Sequence, residues 1–129
     1  MRLKHQPTLK QFRGLGCEVC GESLPVVPDH VRTVGSGGSD IPWNCVASCA
    51  ACHAKRHDGN VKLVVLRRII CKRERISLTD LDSLNNFLMK LPARPTSRDV
   101  WELFLSMPLT VRARREAERI LDEHQIAWR

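Results

Sequence analysis

The stretch CEVCGESLPVVPDHVRTVGSGGSDIPWNCVASCAACHAKRH, residues 17–57, decides the fold. It opens on Cys17-x2-Cys20 and nearly closes on Cys49-x2-Cys52, with 28 residues between the two pairs. Each pair offers two thiolates to one ion, and a structural Zn²⁺ takes four such ligands in a tetrahedron. A unit of about 45 residues buries too little apolar surface to hold itself together, and a metal crosslink compensates for that. A two-Cys, two-His finger is the rival, because His53-x3-His57 also has finger spacing. It would place 32 residues between Cys20 and His53, against about 12–15 in such fingers, and would orphan Cys49 and Cys52. A disulfide scaffold needs an export signal, and the basic start MRLKHQPTLKQFRG lacks the apolar core of one. No run approaches the roughly 18–20 apolar residues of a membrane span. The expectation is a cytoplasmic, zinc-holding protein. Cys45 and Cys71 read as buried small hydrophobes, with Cys45 a minor alternative ligand.

Working outward, LPVVPDHVRTV and the GSGGSD tip read as an irregular hairpin, its first strand broken by Pro25 and Pro28. VASCAACHAKRHDG predicts a helix from about Ser48, stopped near Gly59. The order is strand, strand, helix over residues 17–60. Residues 1–16 read as an irregular basic arm. Residues 61–129 read as a helical extension packed on the small metal domain. Its first segment starts at an Asn60 cap, although its β-branched first half leaves a strand open. The second runs from a Ser77 cap to Pro92, the third from Thr96 or Ser97 to Pro108, and the last covers TVRARREAERILDEHQIAW. The fold class is α+β: a small zinc-stabilised ββα finger with a C-terminal α-helical extension.

Charge singles out the same region. Residues 1–75 carry 13 Lys/Arg against 6 Asp/Glu, while residues 76–129 carry 8 of each, so the net +7 lies wholly in the first part. A local excess suits a phosphate-rich partner, because neutralising phosphates releases counterions.

Four thiolates satisfy one zinc, which leaves Asp29, His30, Asn44, His53 and His57 to be explained. On a helix at about 100° per residue, His53 and His57 project together beside the Cys49–Cys52 face. Such a pair chelates a metal, and Asp29 adds the hard oxygen that Mg²⁺ or Mn²⁺ prefers. Taken singly, each of these residues is ordinary surface or turn chemistry; the combination is not.

CEVC, DH, GSGGSD, WN, CAACH and the closing KRH together resemble the HNH endonuclease family, in the version similar to small phage and prophage proteins. The resemblance covers about residues 17–59 and implies a ββα-metal finger and a DNA substrate. It implies that His30 is the general base, Asp29 and His53 the ligands of a catalytic divalent ion, and His57 a further ligand. Asn44 would hold the His30 loop or ligate the metal. Cleavage of this kind leaves 5′-phosphate and 3′-hydroxyl ends. Arg32, Lys55 and Arg56 flank the centre as phosphate contacts. Adjacent strand residues face opposite ways, so Asp29 and His30 sharing one phosphate requires irregular backbone there. The catalytic ion is Mg²⁺ or Mn²⁺ on this reading, beside a structural Zn²⁺. The alternative is a non-catalytic zinc-stabilised nucleic-acid-binding module, an accessory to a phage packaging or recombination machine. A phage or host protein would then dock on the helical extension, and a phage-encoded protein would work in the bacterial host cytoplasm.

Overall fold

The computed structural model describes residues 1–129. Two strands pair antiparallel, β1 (Val26–His30) and β2 (Cys45–Cys49), in a register running from Val26 opposite Cys49 to His30 opposite Cys45. Helix α1 (Gln6–Arg13) precedes them and α2 (Ala50–His57) follows directly on β2. Helices α3 (Leu63–Glu74), α4 (Leu78–Lys90), α5 (Ser97–Ser106) and α6 (Val111–Glu123) complete an α+β molecule. No helix is long and apolar enough to cross a membrane.

The local departures from the sequence reading have physical causes. The basic arm is not irregular: the His5 side chain accepts from the Thr8 N–H and Pro7 sits in the first turn, so residues 6–13 are helical. Pro28 does not break β1. Both backbone groups of its partner Ala47 turn to Glu18, the N–H to Oε1 at 3.0 Å and the carbonyl to the Glu18 N–H at 2.8 Å. Ala47 therefore asks nothing of Pro28, whose missing N–H leaves no gap in the ladder. Asn60 is not a cap. The N–H groups of Asn60 and Val61 both return to the Lys55 carbonyl, Gly59 takes φ 78°, and α3 begins only at Leu63. β2 persists through Cys49, so α2 starts two residues later than Ser48.

The later caps follow the sequence. Ser77 with Asp80 and Thr96 with Asp99 form reciprocal capping boxes on α4 and α5, and Thr110 caps α6. The Thr110 hydroxyl also bonds Asp80, which ties the starts of α4 and α6 together.

β2 is buried along its whole length and divides two cores. Cys45, Ala47 and Cys49 pack with Phe12, Cys17, Val26 and Cys52 around the cysteine knuckles. Val46, from the opposite face, joins Leu3, Ile41 and Trp43 in a larger core with α3–α6. Full burial of side chains such as Trp43, Leu66 and Phe87 contributes about 2–3 kcal/mol each. Arg73 of α3 clamps the two parts. Its guanidinium donates to both Glu18 carboxylate oxygens (2.7 and 3.0 Å), to the Cys45 carbonyl (3.1 Å) and to the Pro42 carbonyl, and lies 4.8 Å from the Phe12 ring centre. The helices therefore share a core with the finger.

Candidate active site and metal centre

The two cysteine pairs meet where the knuckle before β1 reaches the β2–α2 junction. The four Sγ atoms of Cys17, Cys20, Cys49 and Cys52 lie within 4.8 Å of one another. Those of Cys20 and Cys49 are 3.9 Å apart, and no cysteine is in a disulfide. Sulfurs bound to one Zn²⁺ at about 2.3 Å stand roughly 3.8 Å apart, so the donor set fits that ion. Burial raises the Cys17 thiol, but N–H groups of Cys20, Cys49 and Val19 outweigh it and bring Cys17 down to about 6. Burial and the neighbouring sulfurs push Cys52 up to about 12. Four sulfurs this close cannot all ionise without a cation among them. Cys45 stays outside the cluster, and burial, reinforced by Asp40, pushes its thiol up to about 12. It is an inert packing residue.

The second group is built differently. Asp29, fully buried in β1, points toward α2. Arg56 grips it with Nη2 at 2.6 Å from Oδ1 and Nε at 3.1 and 3.2 Å from the two oxygens, and Nη2 also reaches the His30 carbonyl at 3.3 Å. Arg56 thus turns inward and neutralises a buried carboxylate. On the other side of Asp29, His53 Nδ1 lies 3.3 Å from Oδ2, is closed off from solvent and has no hydrogen-bond partner. His53 Nε2 faces His57 Nε2 at 3.0 Å. The row therefore reads Arg56, Asp29, His53, His57. One imidazole cannot present both nitrogens to one ion, so Asp29 and His57 sit on opposite sides of the His53 ring.

The unpaired Nδ1 is the telling atom. Adjacent ligands of an octahedral ion held at about 2.1 Å are roughly 3 Å apart, so Asp29 Oδ2 and His53 Nδ1 fit a shared divalent cation. If His53 donates its Nε2 hydrogen to His57, Nδ1 turns a lone pair on the carboxylate, an arrangement that a bound cation or a proton on Nδ1 relieves.

His30 ends β1 as a regular strand residue, and its side chain goes elsewhere than that of Asp29: Nε2 lies 2.8 Å from Asp40 Oδ1. The irregular backbone expected at this point is absent, and the two side chains serve different neighbours. Asn44 closes the loop between them. Its Oδ1 accepts from the Arg32 N–H (2.9 Å), and its Nδ2 donates to the carbonyls of Arg32 (3.1 Å) and Ser39 (3.0 Å). Its amide is fully engaged in holding that loop. Gly38 serves the same closure: a Cβ there would lie 1.7 Å from the Arg32 carbonyl oxygen and 2.9 Å from Asn44 Nδ2. Arg32 points its guanidinium at Asn86 Oδ1 of α4 (2.6 Å), and Lys55 is exposed on α2. Asp40 escapes a sequence reading, because a single acid at a glycine-rich tip gives no sign that it folds back onto a histidine ten positions earlier.

Comparison with known proteins agrees with this frame. Residues 17–59 match the family model described as HNH endonuclease. The matched segment is the unit of two strands and a helix around the four-cysteine cluster. The chain is also similar to the type IV methyl-directed restriction enzyme EcoKMcrA of Escherichia coli (strain K12), at 38% identity over 58 residues. That similarity covers 38% of this chain and 21% of the relative, so the chain spans about a fifth of its length. No solved structure matches the chain.

Proposed function

We propose that the protein is a metal-dependent endonuclease that hydrolyses phosphodiester bonds in DNA. The observation that carries this reading is the buried, unpaired His53 Nδ1 set 3.3 Å from Asp29 Oδ2, beside a histidine at the end of the same strand. Asp29 and His53 would hold Mg²⁺ or Mn²⁺, and a divalent ion there supplies Lewis-acid stabilisation to the departing 3′ oxygen. His30 takes the proton of the attacking water; an imidazole suits this near neutral pH, its ordinary value being about 6.5. Asn44 keeps the His30 loop closed. Arg32 and Lys55 are the candidate contacts for flanking phosphates, and the local positive excess draws the polyanion in. The four cysteines, with zinc, hold the frame and take no part in the chemistry.

A second reading is favoured by the regular strand that sends the Asp29 and His30 side chains to different neighbours, and by Arg56, whose grip on both Asp29 oxygens would equally suit a zinc-stabilised DNA-binding module without catalysis. The two part on one assay: cleavage of supercoiled plasmid by zinc-loaded protein, with Mg²⁺ or Mn²⁺ against EDTA. Metal-dependent nicking that disappears in His30→Ala, with zinc content and DNA affinity retained, is the expected result. Cleavage that survives His30→Ala removes His30 as the base. DNA binding with no cleavage under any divalent ion favours the binding module.

A further inference from the structure

The carboxylate nearest the proposed base comes from the loop tip. Asp40 is buried, and three donors converge on it: His30 Nε2 and Arg2 Nη2, each 2.8 Å from Oδ1, and the His5 backbone N–H, 3.0 Å from Oδ2. An ionised carboxylate only accepts, so the hydrogen in the His30 contact belongs to the imidazole. In the neutral ring, Nε2 then carries the proton and Nδ1 the lone pair. Nδ1 has no protein partner and is not among the polar atoms closed off from solvent.

We propose that Asp40 is a positioning residue for catalysis, fixing His30 in the Nε2–H tautomer so that Nδ1 is the atom that accepts the proton of water. This rests on the reading of His30 as the general base. Asp40 itself is held from several directions. Residues 2–5 run alongside the tip, where the Leu3 N–H donates to Ser39 Oγ (3.0 Å) and the Asp40 N–H to the Leu3 carbonyl (2.8 Å). Asn44 holds the neighbouring Ser39 carbonyl from the opposite side. The carboxylate has little freedom, and His30 inherits its orientation. The segment preceding α1 is thereby part of the site's support. The arrangement follows the logic by which a buried acid sets the tautomer of a catalytic histidine elsewhere.

Asp40→Asn is the direct test, because an amide offers one acceptor atom where three donors converge. Imidazole ¹⁵N shifts of His30 in the neutral ring report the tautomer, and kcat, KM, zinc content and DNA affinity are measured alongside. The wild type should show Nε2–H. In Asp40→Asn the tautomers should mix and kcat should fall about 100-fold or more, the scale of a general base, with KM and zinc unchanged. Asp40→Glu, which keeps a carboxylate, should recover part of the rate. Three results overturn the proposal: His30 protonated at Nδ1 in the wild type, a tautomer and kcat indifferent to Asp40→Asn, or loss of zinc and fold in both variants. If the wild type cleaves no DNA, the nuclease reading falls, while the tautomer measurement still decides whether Asp40 orients His30.

Discussion

The cysteine cluster and the Asp29–His53–His57 row share one short helix, with Cys52 and His53 adjacent in it, and both are made of metal-seeking side chains, yet they are organised in opposite ways. Four sulfurs converge on a single point. The second group is a line of pairwise contacts, each side chain turned to a neighbour, with one buried nitrogen left over. A closed tetrahedron suits an ion that must stay and take no substrate. An incomplete set suits an ion that keeps positions free for water and phosphate. The difference shows that donor residues alone do not reveal a site's purpose; their convergence does.

The sharpest way to break the comparison is to remove the first ion. Chelating zinc should unfold the finger, since structural zinc contributes on the order of 10 kcal/mol in small domains. A thermal melt with parallel metal analysis would register the loss. Affinity for zinc should also fall as pH falls, because Cys52, raised to about 12 without metal, reclaims its proton in competition with the ion. Stripping the second ion should leave the melt nearly unchanged. If both removals unfold the protein equally, the distinction between the two groups is lost.

Next in size is Arg56→Ala. Asp29 is buried, so losing its partner should destabilise the protein by about 3–5 kcal/mol, read as a lower denaturation midpoint. Added Mn²⁺ should return part of that loss by neutralising the same carboxylate. Stability unchanged in Arg56→Ala would mean that the pair does not matter to the fold.

The smallest effects separate the two helix histidines. His53→Ala should lower the cleavage rate by about 100-fold or more, since Lewis-acid stabilisation is worth several kcal/mol. His57→Ala, on the far side of the His53 ring from Asp29, should cost less than about tenfold. Equal losses in single-turnover assays would place His57 on the ion after all.

Much of this was legible in the chain. The cysteine spacing announced the knuckles because two short-range pairs need only one long-range meeting. Ser77, and the choice of Thr96 or Ser97, announced their helices because capping is local chemistry. The contacts of Arg56 and Asp40 were not legible. Arg56 sits in a basic KRH run that reads as surface, and only the arrival of Asp29 from β1, 27 positions earlier, turns it inward. Asp40 needs both the loop closed by Asn44 and the segment around Leu3 before it meets His30. That the helices pack on the finger was legible, but which residues carry the shared core was not, because Trp43 and Val46 show no sign in sequence of what they will face.

That sharing bears on how such a chain could have diversified. A strand clothed on both faces is a poor seam for recombination. Exchanging residues after 60 for another helical segment would strip the lining from Ile41, Trp43 and Val46 and leave Arg73's acceptors without their donor. The neighbour of Trp43 is Asn44, so a misfit in the helices would reach, within one residue, the loop that Asn44 closes after His30. Graft experiments that cut there should fail together, in folding and in catalysis. A cut that carries α3 and α4 along with the finger should transplant both.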